Sequence, residues 1–262
     1  MSYEQPEQTP EQTPPENAPE KQSTPQRTKA RFVFRAKKPT VTYIILYFTI
    51  FVFILQYLSQ TFLGQDYPFL YGGKINQFIT QGQYWRLVTP VFLHGSIIHI
   101  LFNMYALYII GKGLELYYGH LEYTLLYFLS GMGGSLFSYL LTPASALGAS
   151  GAIFGLIAAD TILIYKNKGI FGPSAKTMLQ RSIMIIVLNL AIGMSPGIDN
   201  WGHVGGLMIG IVFAWFAGPL VSLERTPSEI LIHLNSSRSV TIQVSLAIFV
   251  VIMAMVVFKS TL

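Results

Sequence analysis

Cysteine is absent from all 262 residues. Disulfide frameworks, cysteine nucleophiles and thiolate metal sites are therefore excluded. Charge is also scarce. Lys, Arg, Asp and Glu make up 11% of the chain, against roughly 25% in an ordinary soluble domain. Acidic residues are the scarcer sign, and five of the twelve fall in the first twenty positions, at Glu4, Glu7, Glu11, Glu16 and Glu20. No Asp or Glu lies near His94 or His99, and no HExxH is present. The histidines thus lack the companion ligands that a metal site needs, and no metal or other cofactor is expected. The G-x-S-x-G elbow of soluble hydrolases is missing too, because position 152 is Ala.

Apolar residues are plentiful, at 52%, and they come in long runs. A membrane-spanning helix needs about 20 of them. The runs predict seven spans, near 41–63, 97–117, 121–141, 150–165, 178–194, 202–221 and 240–258. The fourth and fifth are short. The fold class expected is an all-α, polytopic membrane helix bundle. Residues 1–39 read as a disordered tail, acidic and then basic, with a Glu-Gln-Thr-Pro repeat at 7–10 and 11–14. Residues 223–239 read as a loop. Residues 64–93 form a long connection rich in Tyr67, Phe69, Tyr71, Phe78, Tyr84, Trp85 and Phe92. Such a loop suits the membrane interface, where aromatic rings sit at headgroup depth.

The basic run from Lys21 to Lys38 is expected to flank the first span rather than to bind nucleic acid. It lies too far from Met1 for a signal peptide. With a cytoplasmic N-terminus, fourteen of the seventeen Lys and Arg residues fall on the inner side, leaving Lys74, Arg86 and Lys259 outside. That asymmetry follows the positive-inside rule. It places the starts of the fourth and sixth spans near the outer face.

Those starts carry the candidate chemistry. Ser150 lies in Gly148-Ala149-Ser150-Gly151-Ala152-Ile153-Phe154, and His203 in Asn200-Trp201-Gly202-His203-Val204-Gly205-Gly206. A histidine that takes the serine proton is the minimum for base-assisted nucleophilic attack. The attack creates an oxyanion, for which His99 and Asn103, four apart on one helix face, and the Ser150 backbone N–H are candidate donors. Gly148 and Gly151 would let backbone approach closely. Phe154, one turn beyond Ser150, is placed to pack on His203. Asp160 lies ten residues on, about 15 Å deeper, and Asp199 is assigned to a loop, so a Ser–His dyad is expected without a third member. Gly206 and Gly210 share one face of the sixth helix.

These motifs, in this order, resemble the rhomboid intramembrane serine proteases over about 40–222. The resemblance is carried by Trp85-Arg86, the run from His94 through His99 to Asn103, Glu115, Gly148-Ala149-Ser150-Gly151, and His203-Val-Gly-Gly206 with Gly210. It implies a six-helix core at 40–222, with 240–262 as an additional seventh helix and C-terminus. A Ser150–His203 dyad and an oxyanion site at His99, Asn103 and the Ser150 amide are likewise implied. Trp85 and Arg86 are then a structural loop motif, Glu115 is structural, and Gly206 and Gly210 bring the sixth helix against the fourth. Many relatives carry Tyr where this chain has Phe154. The implied activity is endopeptidase cleavage of single-span membrane proteins near the outer interface. The implied partners are transmembrane protein substrates and the bilayer, in a bacterial cell membrane. The alternatives are a catalytically inactive rhomboid-like chaperone of membrane proteins and, less well matched, a transporter.

Overall fold

The computed structural model describes residues 31–33, 38–225 and 229–261. Seven long helices dominate: α1 (Thr40–Leu63), α2 (Ile97–Tyr118), α3 (His120–Leu141), α4 (Ser150–Lys166), α5 (Ser174–Ile192), α6 (Asn200–Ala217) and α7 (Arg238–Ser260). Six are long and apolar enough to cross a membrane; α4 is shorter, with 17 residues. The chain is a polytopic helical membrane bundle, with α7 packed on α3 and α6. Apolar side chains such as Ile98, Leu101, Phe102, Val187 and Val250 point outward, as lipid requires in place of water.

Local sequence sets the helix ends. Gly64 and Gly119 terminate α1 and α2 with positive φ, at 72° and 79°. Ser96, Asp199 and Ser237 cap α2, α6 and α7 by accepting backbone N–H bonds, the usual role of short polar residues at that position. The α1 start has no such local cap. Glu115 supplies one from α2. Its carboxylate accepts from the backbone N–H groups of Val41 and Thr42, both at 2.8 Å, from the Thr42 hydroxyl at 2.7 Å, and pairs with His120 Nδ1 at 2.6 Å. A buried acid is tolerated because every bond it can accept is made. The resemblance gave Glu115 a structural part, and this capping is its physical content. Within α2, Leu107–Gly111 is a π turn.

The 64–93 connection is folded: helices Tyr67–Gly72 and Asn76–Thr80, then 3-10 turns Tyr84–Leu87 and Thr89–Phe92. Two expectations need correction. The sixth helix ends at Ala217, not 221, and Leu220–Arg225 (β2) and Glu229–Asn235 (β3) form an antiparallel pair across much of the stretch read as a loop. Gly218-Pro219 stops the helix, and alternating residues then suit strands. Arg31–Val33 (β1) pairs in parallel with β3. The rest of the 1–39 tail, apart from Lys38 and Pro39, lies outside the described residues.

The inner layer is α3, α4 and α6, the most intimately packed helices. Glycine makes this possible. A Cβ on Gly206 would strike the Gly151 carbonyl oxygen, and one on Gly210 the Gly155 carbonyl oxygen. A Cβ on Gly134 would stand 2.7 Å from the Gly202 carbonyl oxygen. Backbones thus touch without intervening side chains, as small-residue faces allow in membranes. Gly206→Val is expected to push α6 off α4, lowering both melting temperature and turnover. Wild-type values for both, measured on the detergent-solubilised protein, would show that this face tolerates side chains.

Candidate functional site: a serine and a histidine at adjoining helix starts

The α4–α6 contact brings two polar side chains together. Ser150 opens α4 and His203 lies in the first turn of α6, with Nε2 and Oγ 3.0 Å apart. That separation is within range for proton transfer. The imidazole stacks on the Phe154 ring, with centroids 4.4 Å apart and planes 15° from parallel. Phe154 is one turn along the same helix as Ser150, so α4 positions both the hydroxyl and the surface that holds the imidazole. Asp199 does not orient the ring. Its carboxylate accepts from Gly202 N at 3.1 Å, and His203 Nδ1 is buried without a hydrogen-bond partner.

The backbone before Ser150 has one conformation that only glycine takes readily. Gly148 has φ of 127°, and a Cβ there would lie 2.8 Å from His99 Cε1 and 2.9 Å from Nε2. The His99 ring therefore covers Gly148, two residues from Ser150. Asn103 lies one turn along α2, buried, with Nδ2 donating to the His99 carbonyl at 2.9 Å. One of its amide hydrogens is thus used within the helix, and the other is not committed by that bond. The N–H groups of Ser150, Gly151 and Ala152 precede the first bond of the helix, Ile153 N to the Ala149 carbonyl at 3.0 Å.

A cavity of about 40 Å³ adjoins the serine, walled by Gly131, Gly134, Ser135, Gly148 and Gly151, with Lys74 and Asp199 at its edge. It has room for a small group only. Lys74 was not singled out by sequence reasoning. Its side chain is fully buried, and Nζ donates to the Ala144 carbonyl at 2.7 Å and the Thr142 carbonyl at 3.3 Å. Burial lowers its pKa to about 8, while the Asp199 charge acts in the opposite sense. Among the described residues, no three His, Asp or Glu side chains converge as metal ligands.

The remaining predicted residues make other contacts. His94 is buried, and its ring meets His99 edge-on at 4.9 Å. Burial, reinforced by His99, lowers its pKa to about 3, so it is neutral at physiological pH. Its backbone N–H donates to Gln56 Oε1 at 2.9 Å, and Gln56 Nε2 donates to Asp66 at 2.8 Å. Gln56, on α1, is a second residue that sequence reasoning missed; a glutamine in an apolar span was the available signal. Trp85 is half exposed and donates Nε1–H to the Tyr71 carbonyl at 3.0 Å. Arg86 is buried and donates to the carbonyls of Gly73 and Leu70 and to Gln83 Oε1, all at 2.8 Å, with Phe78 beneath its guanidinium. The pair therefore ties the 64–93 connection together.

A multi-pass membrane bundle with a serine and a histidine at adjoining helix starts is the class defined so far. Comparison with known proteins narrows it. Residues 81–220 match the Rhomboid domain family model. Rhomboid protease GluP of Bacillus subtilis (strain 168) is 37% identical over 194 residues, covering 74% of this chain and 37% of GluP. Rhomboid protease AarA of Providencia stuartii is 31% identical over 214 residues, covering 71% of this chain and 75% of AarA. RHOMBOID-like protein 9, chloroplastic, of Arabidopsis thaliana is 35% identical over 163 residues, covering 62% and 38%. The chain belongs to the rhomboid family, though it spans under half the length of GluP and of RHOMBOID-like protein 9.

Arg86→Lys tests the loop scaffold. A lysine keeps the charge but cannot fork to two carbonyls while also bonding Gln83. Hydrogen bonds to charged groups contribute about 1.5–3 kcal/mol each, so a drop in thermal stability is expected. An unchanged melting temperature would show that the connection holds without the fork.

Proposed function

We propose that this protein is an intramembrane serine endopeptidase that cuts transmembrane segments of single-span membrane proteins near the outer interface. The observation that carries the proposal is the 3.0 Å approach of His203 Nε2 to Ser150 Oγ, with the imidazole held on Phe154. In the proposed reaction His203 takes the hydroxyl proton as Oγ attacks the scissile carbonyl. The resulting oxyanion is met by the Ser150 amide, His99 and Asn103. His203 then returns the proton to the leaving amine, and water hydrolyses the acyl-enzyme by the same steps. No cofactor enters this chemistry. Gly148 and Gly151 keep the approach clear, and His94, Trp85, Arg86, Gly206 and Gly210 act by supporting position. A helical amide is shielded by its own hydrogen bonds, so a substrate segment must unwind before Ser150 can reach it.

The charge asymmetry supports a cytoplasmic N-terminus and an outward-facing site. The names of GluP and AarA as rhomboid proteases favour activity over the inactive-chaperone alternative. Ser150→Ala and His203→Ala are each expected to abolish cleavage of a model single-span substrate in liposomes while leaving the melting temperature near wild type. A serine-directed fluorophosphonate is expected to label the wild type at Ser150. Substantial turnover by clean Ser150→Ala protein, or no labelling of the wild type, would overturn the reading.

Asn103→Ala is expected to lower kcat far more than it changes KM, since its contact forms chiefly in the transition state. Losing one oxyanion donor typically costs roughly 10²–10³ in rate. An unchanged kcat would reduce Asn103 to a helix contact.

A further inference from the structure

Lys74 is a charged side chain with no exposed surface, placed at the edge of the cavity beside Ser150. A buried ammonium is expensive and is kept only where its donors are well used. Two of its three N–H groups go to consecutive parts of one segment, the carbonyls of Thr142 and Ala144. Its backbone grips the same segment further on. Lys74 N donates to the Ala146 carbonyl and Ala146 N donates to the Lys74 carbonyl, both at 3.0 Å. Gly148 N then donates to the Pro90 carbonyl at 2.9 Å. From Thr142 to Gly148, therefore, almost every second residue is tied to the 64–93 connection, and Lys74 makes most of the ties.

Capping of α3 does not account for the charge. Asn76 Nδ2 already donates to the Thr142 carbonyl at 2.9 Å from the same connection, a neutral solution to the same orphan acceptor. What Lys74 adds is the reach to Ala144 and the bridge to Ala146, toward Ser150 rather than toward α3. Residues 143–145 are exposed, and between the Asn76 bond at Thr142 and the Pro90 bond at Gly148 the ties to the 64–93 connection come from Lys74. Its far end carries Gly148, which the His99 ring covers, and leads directly into Ser150.

We propose that Lys74 is a positioning residue for the proposed protease reaction: its side chain and backbone clamp the 142–149 segment so that Gly148 and the Ser150 amide stand where the oxyanion forms. The inference rests on the protease reading above. It assigns Lys74 no contact with reacting atoms. A positional error near 1 Å can lower a rate about 10²-fold, and the error here falls on transition-state contacts rather than on substrate binding.

The test compares Lys74→Met, which keeps the stem and removes the donors, with Asn76→Ala, which removes only the neutral cap. Both are made in the full chain and assayed in liposomes for kcat, KM, fluorophosphonate labelling rate and melting temperature. The clamp predicts that Lys74→Met loses about 10- to 100-fold in kcat and in labelling rate, with KM within about twofold, while Asn76→Ala keeps a near wild-type kcat. Lys74→Arg, which restores charged donors, is expected to recover part of the rate. Equal losses in Lys74→Met and Asn76→Ala would reduce Lys74 to an α3 cap and overturn the proposal. So would an unchanged kcat in Lys74→Met, or a loss confined to KM. If Lys74→Met does not fold, Lys74→Gln, which keeps a neutral donor on a shorter stem, decides: a wild-type melting temperature with reduced kcat supports the clamp, and wild-type values for both overturn it. A wild type with neither labelling nor turnover would instead count against the protease reading itself.

Discussion

The distance between α4 and α6 governs everything at the site. Ser150 and His203 are 53 residues apart in the chain and sit on different helices, so no local geometry fixes their separation. It is set by how closely two backbones can lie. In lipid the hydrophobic effect does not drive helices together, and association depends on packing and polar contacts. Gly151, Gly155, Gly206 and Gly210 remove the side chains that would hold the helices apart, and Gly133 and Gly134 do the same for α3. Carbonyl oxygens then face Cα hydrogens directly, an arrangement that is individually weak and collectively useful. The price is that Gly134, Gly206 and Gly210 tolerate no added Cβ without a backbone shift.

A second constraint shapes the 64–93 connection. Irregular backbone near the bilayer leaves N–H and C=O groups that lipid cannot satisfy. The polar residues of this region answer that demand. Arg86 takes the carbonyls of Leu70 and Gly73, Thr89 that of Gly72, Lys74 and Asn76 that of Thr142, and Gln56 the His94 amide. The connection thereby links α1, the α3 end and the segment before Ser150. The same physics explains Glu115. Without a cap within reach along the chain, the α1 amides are met by a carboxylate 73 and 74 residues away.

These long-range partners mark the limit of what the sequence discloses. The seven helices were legible because apolar runs of spanning length have few other readings. Ser150, His203, His99 and Asn103 stood out because polar groups inside such runs need a reason. Gly206 and Gly210 followed from helical period. Lys74 and Gln56 did not stand out, since a single polar residue carries no sign of whether its partner lies across the bundle. The hairpin from Leu220 to Asn235 was missed for a different reason. In a chain this apolar, the strand residues Leu220, Val221 and Leu223 extend a helical run without a break in hydropathy, and only Gly218-Pro219 marks the change. Weighting that dipeptide as a stop would have ended α6 correctly.

How the imidazole of the proposed dyad is oriented without an acid is the remaining physical question. In triads a carboxylate holds the ring and selects its tautomer. Here the nearest acid in the chain, Asp199, is already engaged in capping α6 through Gly202. Orientation comes instead from a flat contact, the Phe154 ring against the imidazole, together with the Nε2–Oγ approach. This contact needs no hydroxyl, so phenylalanine suffices. Because Phe154 and Ser150 share α4, the ring and the hydroxyl keep a common frame. A slide of α6 along α4 would break the stacking and the Nε2–Oγ contact together, so the glycine seam that sets the distance also sets the angle. The dyad proposed here is therefore a property of helix packing, and the interactions that fold the bundle are the same ones that hold the reacting groups in place.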